Sequence, residues 1–160
     1  MSMFRPRCLV FLTANLWLGC FPGEIRDRHA AVVDDYQPTP FLSPDQPFLD
    51  PERALGPPDG RTVALGRDAS LVLRFFREIP DAPGPDLRIY EVGDDGARAR
   101  IALSSDGDRF IELDLLAGGG STEIDLANTG EVGVTFVRVR GLDDLGLEPG
   151  FDLDAVEALH

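Results

Sequence analysis

Five aspartates sit where a chain can gather oxygen ligands. Asp59 lies in Gly-Pro-Pro-Asp-Gly, Asp81 and Asp86 flank Pro83-Gly84-Pro85, and Asp152 and Asp154 stand two apart in the last apolar run. If that run is a strand, Asp152 and Asp154 share a face. Calcium takes six to eight oxygens, largely carboxylates and carbonyls supplied by loops. Prolines beside Asp59, Asp81 and Asp86 lower the entropy lost when such loops are ordered. Aspartate also favours turns for its own backbone hydrogen bonds, and in a chain with 28 acids that explanation stands beside the metal one. No run fits the EF-hand loop, since Asp106-Gly107-Asp108 lacks the later ligands.

Other chemistry is sparsely provided. Sugars stack on aromatic rings, and the single tryptophan, Trp17, falls in the N-terminal apolar run. Tyr36 and Tyr90 are the candidate ligand-binding rings, with Phe41 and Phe48 nearby in sequence to Tyr36; core or loop packing is the competing role for each. A protein partner is equally open. The histidines, His29 and His160, stand near the two ends of the expected domain, which leaves a Ser-His-Asp or Cys-His arrangement without a base. All 15 basic residues are arginine, so Schiff-base and phosphate-loop lysines are excluded. Zinc-ligand clusters are absent from the sequence. Glycoside hydrolysis needs two carboxylates across a cleft, which sequence cannot place. Gly118-Gly119-Gly120-Ser121-Thr122 reads as a hairpin loop, because no helix follows to complete a phosphate cradle. The expected role is non-catalytic.

Charge narrows the partners. The formal net charge is −13, and it deepens to −15 once the N-terminal Arg5 and Arg7 are set aside. Such a surface repels phosphate backbones, which argues against nucleic acid and against lying on anionic lipid. Membrane contact is expected only through an anchor. Met1 to Arg7 is basic, and Cys8 to Gly19 is an apolar run too short to span a bilayer but suited to a secretory signal. Leu18-Gly19-Cys20 resembles the end of a bacterial lipobox, with Trp17 where the motif usually carries Leu. On this reading residues 1–19 are a signal peptide, Cys20 is the lipidated N-terminus, and residues 20–29 are a tether. The alternative is ordinary cleavage near Gly19 or Gly23 with a free product. The expected place is the cell envelope, lipid-anchored, and otherwise secreted or periplasmic. Both cysteines, Cys8 and Cys20, precede the domain, so it folds without disulfides.

The rest of the chain must position these residues, and its rhythm is that of strands. Thirteen prolines and 17 glycines point to many turns. Val32-Val33 begins a strand, and residues 34–61 form a long loop pinned by Phe41, Phe48 and Leu55. Eight further strands follow: Thr62–Leu65, Ser70–Phe76, Asp86–Val92, Ala97–Ser104, Phe110–Leu116, Thr122–Leu126, Val134–Val139 and Phe151–Leu159. Leu71, Leu73 and Phe75 alternate on one face, as do Ile101 and Leu103 against Arg98 and Arg100. Asp106-Gly107 marks a hairpin. Leu71 to Val92, two apolar runs joined by an acidic, proline-rich corner, is the stretch around which the others arrange. Strand number and spacing predict an all-β sandwich or jelly roll.

Several blocks carry a resemblance. Ala54–Gly60, Val63–Gly66, the run Asp81 to Glu91, Ser104-x-Asp106-Gly107 and Gly150–Leu159 are similar to a group of bacterial cell-surface proteins with galactose-binding-like (discoidin-type) jelly-roll sandwiches. The resemblance spans about residues 30 to 160. It implies a β-sandwich whose loops at one end hold a structural calcium and a ligand, with Asp154 the best match to a last-strand acid that acts with acids from early loops. Many relatives carry a C-terminal sorting helix, whereas here anchorage would rest on Cys20. The fold hosts binders of sugars, lipids and proteins, so no ligand follows from it. The expected function is an exported, lipid-anchored binding or scaffolding protein with Ca2+ as candidate cofactor. The alternative is a carbohydrate-binding module or an accessory part of a cell-surface hydrolase system.

Overall fold

The computed structural model of the chain describes residues 28–40, 42–43, 46–93, 96–144 and 149–160. The expected signal peptide, Cys20, most of the tether, and Phe41 lie outside the described residues. Nine strands form two antiparallel sheets: β1 (Val32–Gln37), β2 (Val63–Leu65), β3 (Ser70–Pro80), β4 (Leu87–Glu91), β5 (Ala99–Ser104), β6 (Ile111–Ala117), β7 (Ser121–Ile124), β8 (Gly133–Gly141) and β9 (Phe151–Ala158). One sheet has the order β1-β3-β8-β5-β6 and the other β2-β9-β4-β7. This is the expected all-β jelly-roll sandwich. Among the described residues no helix is long and apolar enough to cross a membrane.

The period of two places the core between the sheets. Leu71, Leu73 and Phe75 of β3, Val137 and Val139 of β8, and Ile101 and Leu103 of β5 are buried. They meet Leu87 and Ile89 of β4 and Phe151, Leu153 and Val156 of β9. The inward set of β9 changes phase, from Phe151 and Leu153 to Val156 and Ala158. A bulge explains it: Tyr90 pairs with Ala155 while Glu91 pairs with Leu153, so Asp154 is the extra residue.

Several elements differ from the sequence reading, among them β3, which runs to Pro80 rather than Phe76. β1 does not end at Val33 but continues to Gln37 along β3, with an irregularity between Val33 and Asp35. Pairing with Ser70–Arg74 decides this, because Asp34 gains Arg74 as a neighbour at 3.5 Å. The long connection after it is built of packed turns rather than extended chain. Short 3-10 turns at Pro47–Leu49 and Pro51–Ala54 bury Leu49 and Ala54, and the Asp50 side chain accepts from the Glu52 N–H at the second. Arg28 and His29, read as the end of the tether, lie along β9: Ala158 N–H donates to the Arg28 carbonyl at 2.6 Å, and His29 bridges to Glu157.

The proline-rich corner carries the chain from β3 in one sheet to β4 in the other. Asp86, which closes it, is fully buried. Its two carboxylate oxygens accept from the Ala82 and Leu126 N–H groups, each at 2.8 Å. Its own N–H donates to Ile124 O at 2.9 Å, and its carbonyl accepts from Leu159 N–H at 2.8 Å. One side chain thus ties the corner to the exit of β7. The Asp106-Gly107 hairpin is held in a similar way: Asp106 accepts from the Arg109 and Asp108 N–H groups at 3.0 and 2.9 Å, which keeps its carboxyl below the usual range. Gly107, at φ +85°, leaves room for the Phe136 ring.

Asp86→Ala strands the Ala82 and Leu126 N–H groups, and should lower the urea unfolding free energy by about 3 kcal/mol. Asp81→Ala, at an exposed position, should change it by no more than about 0.5 kcal/mol. Equal small losses in both would show that the corner does not depend on Asp86. Tyr36 packs against the core with its hydroxyl buried and without a hydrogen-bond partner among the described residues. Burial, with the Asp50 carboxylate adding to it, pushes the Tyr36 hydroxyl from its ordinary 10.0 up to about 12. The folded state therefore holds this proton more tightly, so its contribution is intact below pH 10 and is lost as pH rises toward 12. Tyr36→Phe should keep or raise stability by up to about 1 kcal/mol at neutral pH. It should also flatten the alkaline loss in thermal melts; a steep loss persisting in the variant would place its source elsewhere.

Candidate functional site

The acids singled out from the sequence fall into separate places. Asp81 and Asp86 come together at the corner, joined by Asp125, and carboxylate oxygens of the three lie within 4.8 Å of one another. Asp81 is exposed, Asp86 buried and Asp125 half-buried. Asp125 was not singled out by the sequence, where it sat inside an expected strand. In the structure β7 stops at Ile124, and Asp125 begins the turn Leu126–Asn128, accepting from the Ala127 N–H at 3.0 Å. Three carboxylates at one point suit a hard cation, with carbonyls or water completing the shell. Each oxygen of Asp86 already accepts one N–H and keeps a lone pair to offer.

Asp59 and Asp154 meet elsewhere, and not as two carboxylates. Asp154, at the β9 bulge, accepts from the Asp59 N–H at 3.1 Å and from the Gly60 N–H at 3.1 and 3.2 Å. Asp59 turns its own carboxylate to the Arg61 N–H at 2.9 Å. The last-strand acid therefore clamps the backbone of the Gly-Pro-Pro-Asp-Gly loop. Asp152 is half-buried on β9 opposite Ala64 of β2. Among the described residues the structure brings together three acids at one place only, the corner.

The two tyrosines lie on different sheets, Tyr36 on β1 and Tyr90 on β4. Tyr90 donates to Glu157 at 2.6 Å and accepts from Arg88 at 3.2 Å, while the Arg88 guanidinium carbon stands 5.9 Å from its ring centroid. Arg88 also pairs with Glu123 at 2.5 Å. His29 lies against β9, and the His160 ring approaches Pro85 O at 3.0 Å.

A second surface was not singled out by the sequence reading: the outer face of the five-stranded sheet. The inward alternation of Ile101 and Leu103, and of Val137 and Val139, turns Arg100, Arg138 and Arg140 outward. Register then sets Arg100 directly across from Arg140, and Arg138 across from Ala102. Arg100 pairs with Glu112 at 2.6 Å and Arg140 with Asp68 at 2.5 Å. The Arg138 guanidinium carbon lies 3.7 Å above the Phe110 ring centroid. Two shallow depressions, of about 320 and 170 Å³, adjoin along this face and share Arg138 and Arg140. The larger adds Asp35, Gln37, Asp68 and Ser70. The smaller adds Arg100, Phe110, Glu112 and the strand positions Ile101 and Ala102. Flat guanidinium, carboxylate and amide groups over a sheet offer paired donors and acceptors of the kind that vicinal hydroxyls need. The arginines were visible in the sequence as the polar side of two strands. That those strands are neighbours was not.

No family model matches the sequence, and no curated protein matches it. Solved structures do. The CBM32-1 module from a family 31 glycoside hydrolase of Clostridium perfringens superposes with a TM-score of 0.51 at 12% identity, covering 84% of this chain and 99% of that one. The CBM32 of AlyQ, solved with 4,5-unsaturated mannuronic acid, gives 0.49 at 12% identity over 82% of this chain and 98% of that one. A pectin-binding carbohydrate-binding module gives 0.49 at 12% identity, over 81% and 92%. At these identities the likeness is one of fold, and the fold is the galactose-binding-like β-sandwich.

Proposed function

We propose that the chain is an exported, non-catalytic carbohydrate-binding module, tethered to the cell envelope through a lipid on Cys20, that takes its ligand across the outer face of the five-stranded sheet. The observation that carries this reading is the pair of adjoining depressions around Arg138 and Arg140. Their open shape suits a chain of sugars running over strands better than a small molecule that must be enclosed. The jelly-roll sandwich that the chain shares with a glycoside hydrolase's CBM32 module supports it. So does the N-terminal sequence, with its basic residues, short apolar run and Leu-Gly-Cys. A module held at the envelope would keep a polysaccharide near partner enzymes or near the cell. Retardation of the protein in native gels containing individual polysaccharides tests the binding. At least one polysaccharide should slow it, with no shortening of the glycan. Phe110→Ala, which removes the ring beneath Arg138, should weaken that interaction about tenfold, or 1.4 kcal/mol. If a broad set of neutral and acidic polysaccharides all leave mobility unchanged, the carbohydrate reading fails.

The corner of Asp81, Asp86 and Asp125 supports a second reading, a structural calcium ion that joins the β3–β4 corner to the end of β7. Three carboxylates this close repel one another, and a divalent cation would offset that repulsion while keeping Asp86 in its role as an N–H acceptor. Thermal unfolding with chelator and then with calcium in excess reads it. At about a hundred times its dissociation constant the ion adds roughly 2.7 kcal/mol, a rise of several degrees in midpoint. Asp125→Asn should abolish the rise without the large intrinsic loss expected of Asp86 variants. An unchanged midpoint in calcium would leave the three aspartates as turn and corner residues alone.

A further inference from the structure

The charges around the two depressions are divided unevenly, and that division points to the ligand's chemistry. The smaller depression is lined by Arg100, Arg138 and Arg140 against one acid, Glu112. The larger holds Arg138 and Arg140 against Asp35 and Asp68, with the neutral Gln37 and Ser70 between. One is a net cationic pocket of about 170 Å³, and the other is a balanced polar cleft of about 320 Å³.

The cationic pocket is not something the sandwich needs. Arg100 and Arg140 are directly opposed across β5 and β8, an arrangement of like charges that costs stability in an antiparallel pair. Both side chains are about half exposed, so the core would be unchanged by other polar residues there. In a chain with 28 acids and 15 arginines, three arginines gathered on adjoining strands stand against the overall balance. Their acidic partners sit at the margins. Glu112 engages one nitrogen of Arg100, and Asp68 one nitrogen of Arg140. A guanidinium has five N–H donors, so most of the donors on each remain available. Arg138 has an aromatic ring beneath it and no carboxylate within ion-pair distance among the described residues. A guanidinium seated over a ring keeps N–H donors for contact with a planar anion.

Resting on the carbohydrate reading, we infer that this face selects an anionic saccharide. A carboxylate or sulfate group of the glycan seats among Arg100, Arg138 and Arg140, and hydroxyls of the adjoining sugar meet Asp35, Gln37 and Ser70. The overall negative charge does not prevent this, because charges beyond about 8 Å are largely screened at physiological ionic strength. A short acidic segment meets Arg138 and the remaining donors of Arg100 and Arg140, with Glu112 and Asp68 at the margins.

Calorimetric titration of the protein with oligogalacturonate, with its methyl ester and with a sulfated galactan oligosaccharide tests the inference. The free acid should bind at least about tenfold more tightly than the ester, and the preference should shrink as salt is raised. Arg138→Gln and Arg100→Gln should each erase the preference while leaving the thermal midpoint near that of the parent. Binding of the acid but not the sulfated glycan assigns the anion as a carboxylate; the reverse assigns it as sulfate. Equal binding of acid and ester overturns the anionic selection and leaves the carbohydrate reading standing. So does binding confined to neutral polysaccharides. Failure of every glycan, neutral or acidic, overturns both.

Discussion

A buried carboxylate, Asp86, closes one of the chain's several passages between its two sheets, the one from β3 to β4. A sandwich must somewhere pass the chain from one layer to the other, and at that passage ladder hydrogen bonds lapse. Here β3 ends at Pro80 and β4 begins at Leu87. The prolines of the corner have no N–H to satisfy, and the N–H of Ala82 goes to Asp86. Burying a charge is costly unless hydrogen bonds replace its water. Asp86 meets that condition with two backbone donors from separate segments. Its main chain reaches Ile124 and Leu159 as well. Three stretches far apart in sequence are thereby brought to one point, and the same convergence sets Asp81 and Asp125 beside it. The one cluster of three acids among the described residues is a by-product of how the corner is closed.

The Asp154 clamp shows the same economy on the last strand. An acid two residues from another on a last strand invites a metal-ligand reading. The bulge at Asp154 gives it backbone N–H groups to accept instead, from Asp59 and Gly60. Its carboxylate makes three contacts with two N–H groups of a glycine-proline loop, so its first use is to hold that loop. Other aspartates also fix backbone, Asp106 and Asp125 where strands end and Asp50 at the start of a 3-10 turn.

On the exposed side of the five-stranded sheet, strand register decides which chemistry is gathered. Side chains that alternate on single strands become a surface only when strands are placed edge to edge. β8 lies between β3 and β5, and that order gathers Ser70, Arg140 and Arg100 into one row and Val72, Arg138 and Ala102 into the next. The ring of Phe110, at the entrance to β6, completes the patch from a third element. None of these residues is near another in the chain beyond its own strand.

Local pattern was enough for the strands themselves. Alternation in Leu71-Val72-Leu73 and Ala99–Leu103, turn chemistry at Asp106-Gly107, and the density of proline and glycine determined that the chain would be an all-β sandwich. These signals act over a few residues, which is the range at which sequence speaks clearly. The extension of β1 to Gln37 was not legible, because it rests on pairing with β3 rather than on the propensity of Asp34-Asp35. Asp125 was not legible either, since its place is fixed by Asp86, 39 positions earlier in numbering but adjacent in space. What the sequence by itself determined was the class of fold and the acidic balance of charge. What only the tertiary structure decided was which acids converge and which arginines share a face. Those depend on strand order and on a bulge, and both are set by packing between distant segments, not by the residues of any one stretch.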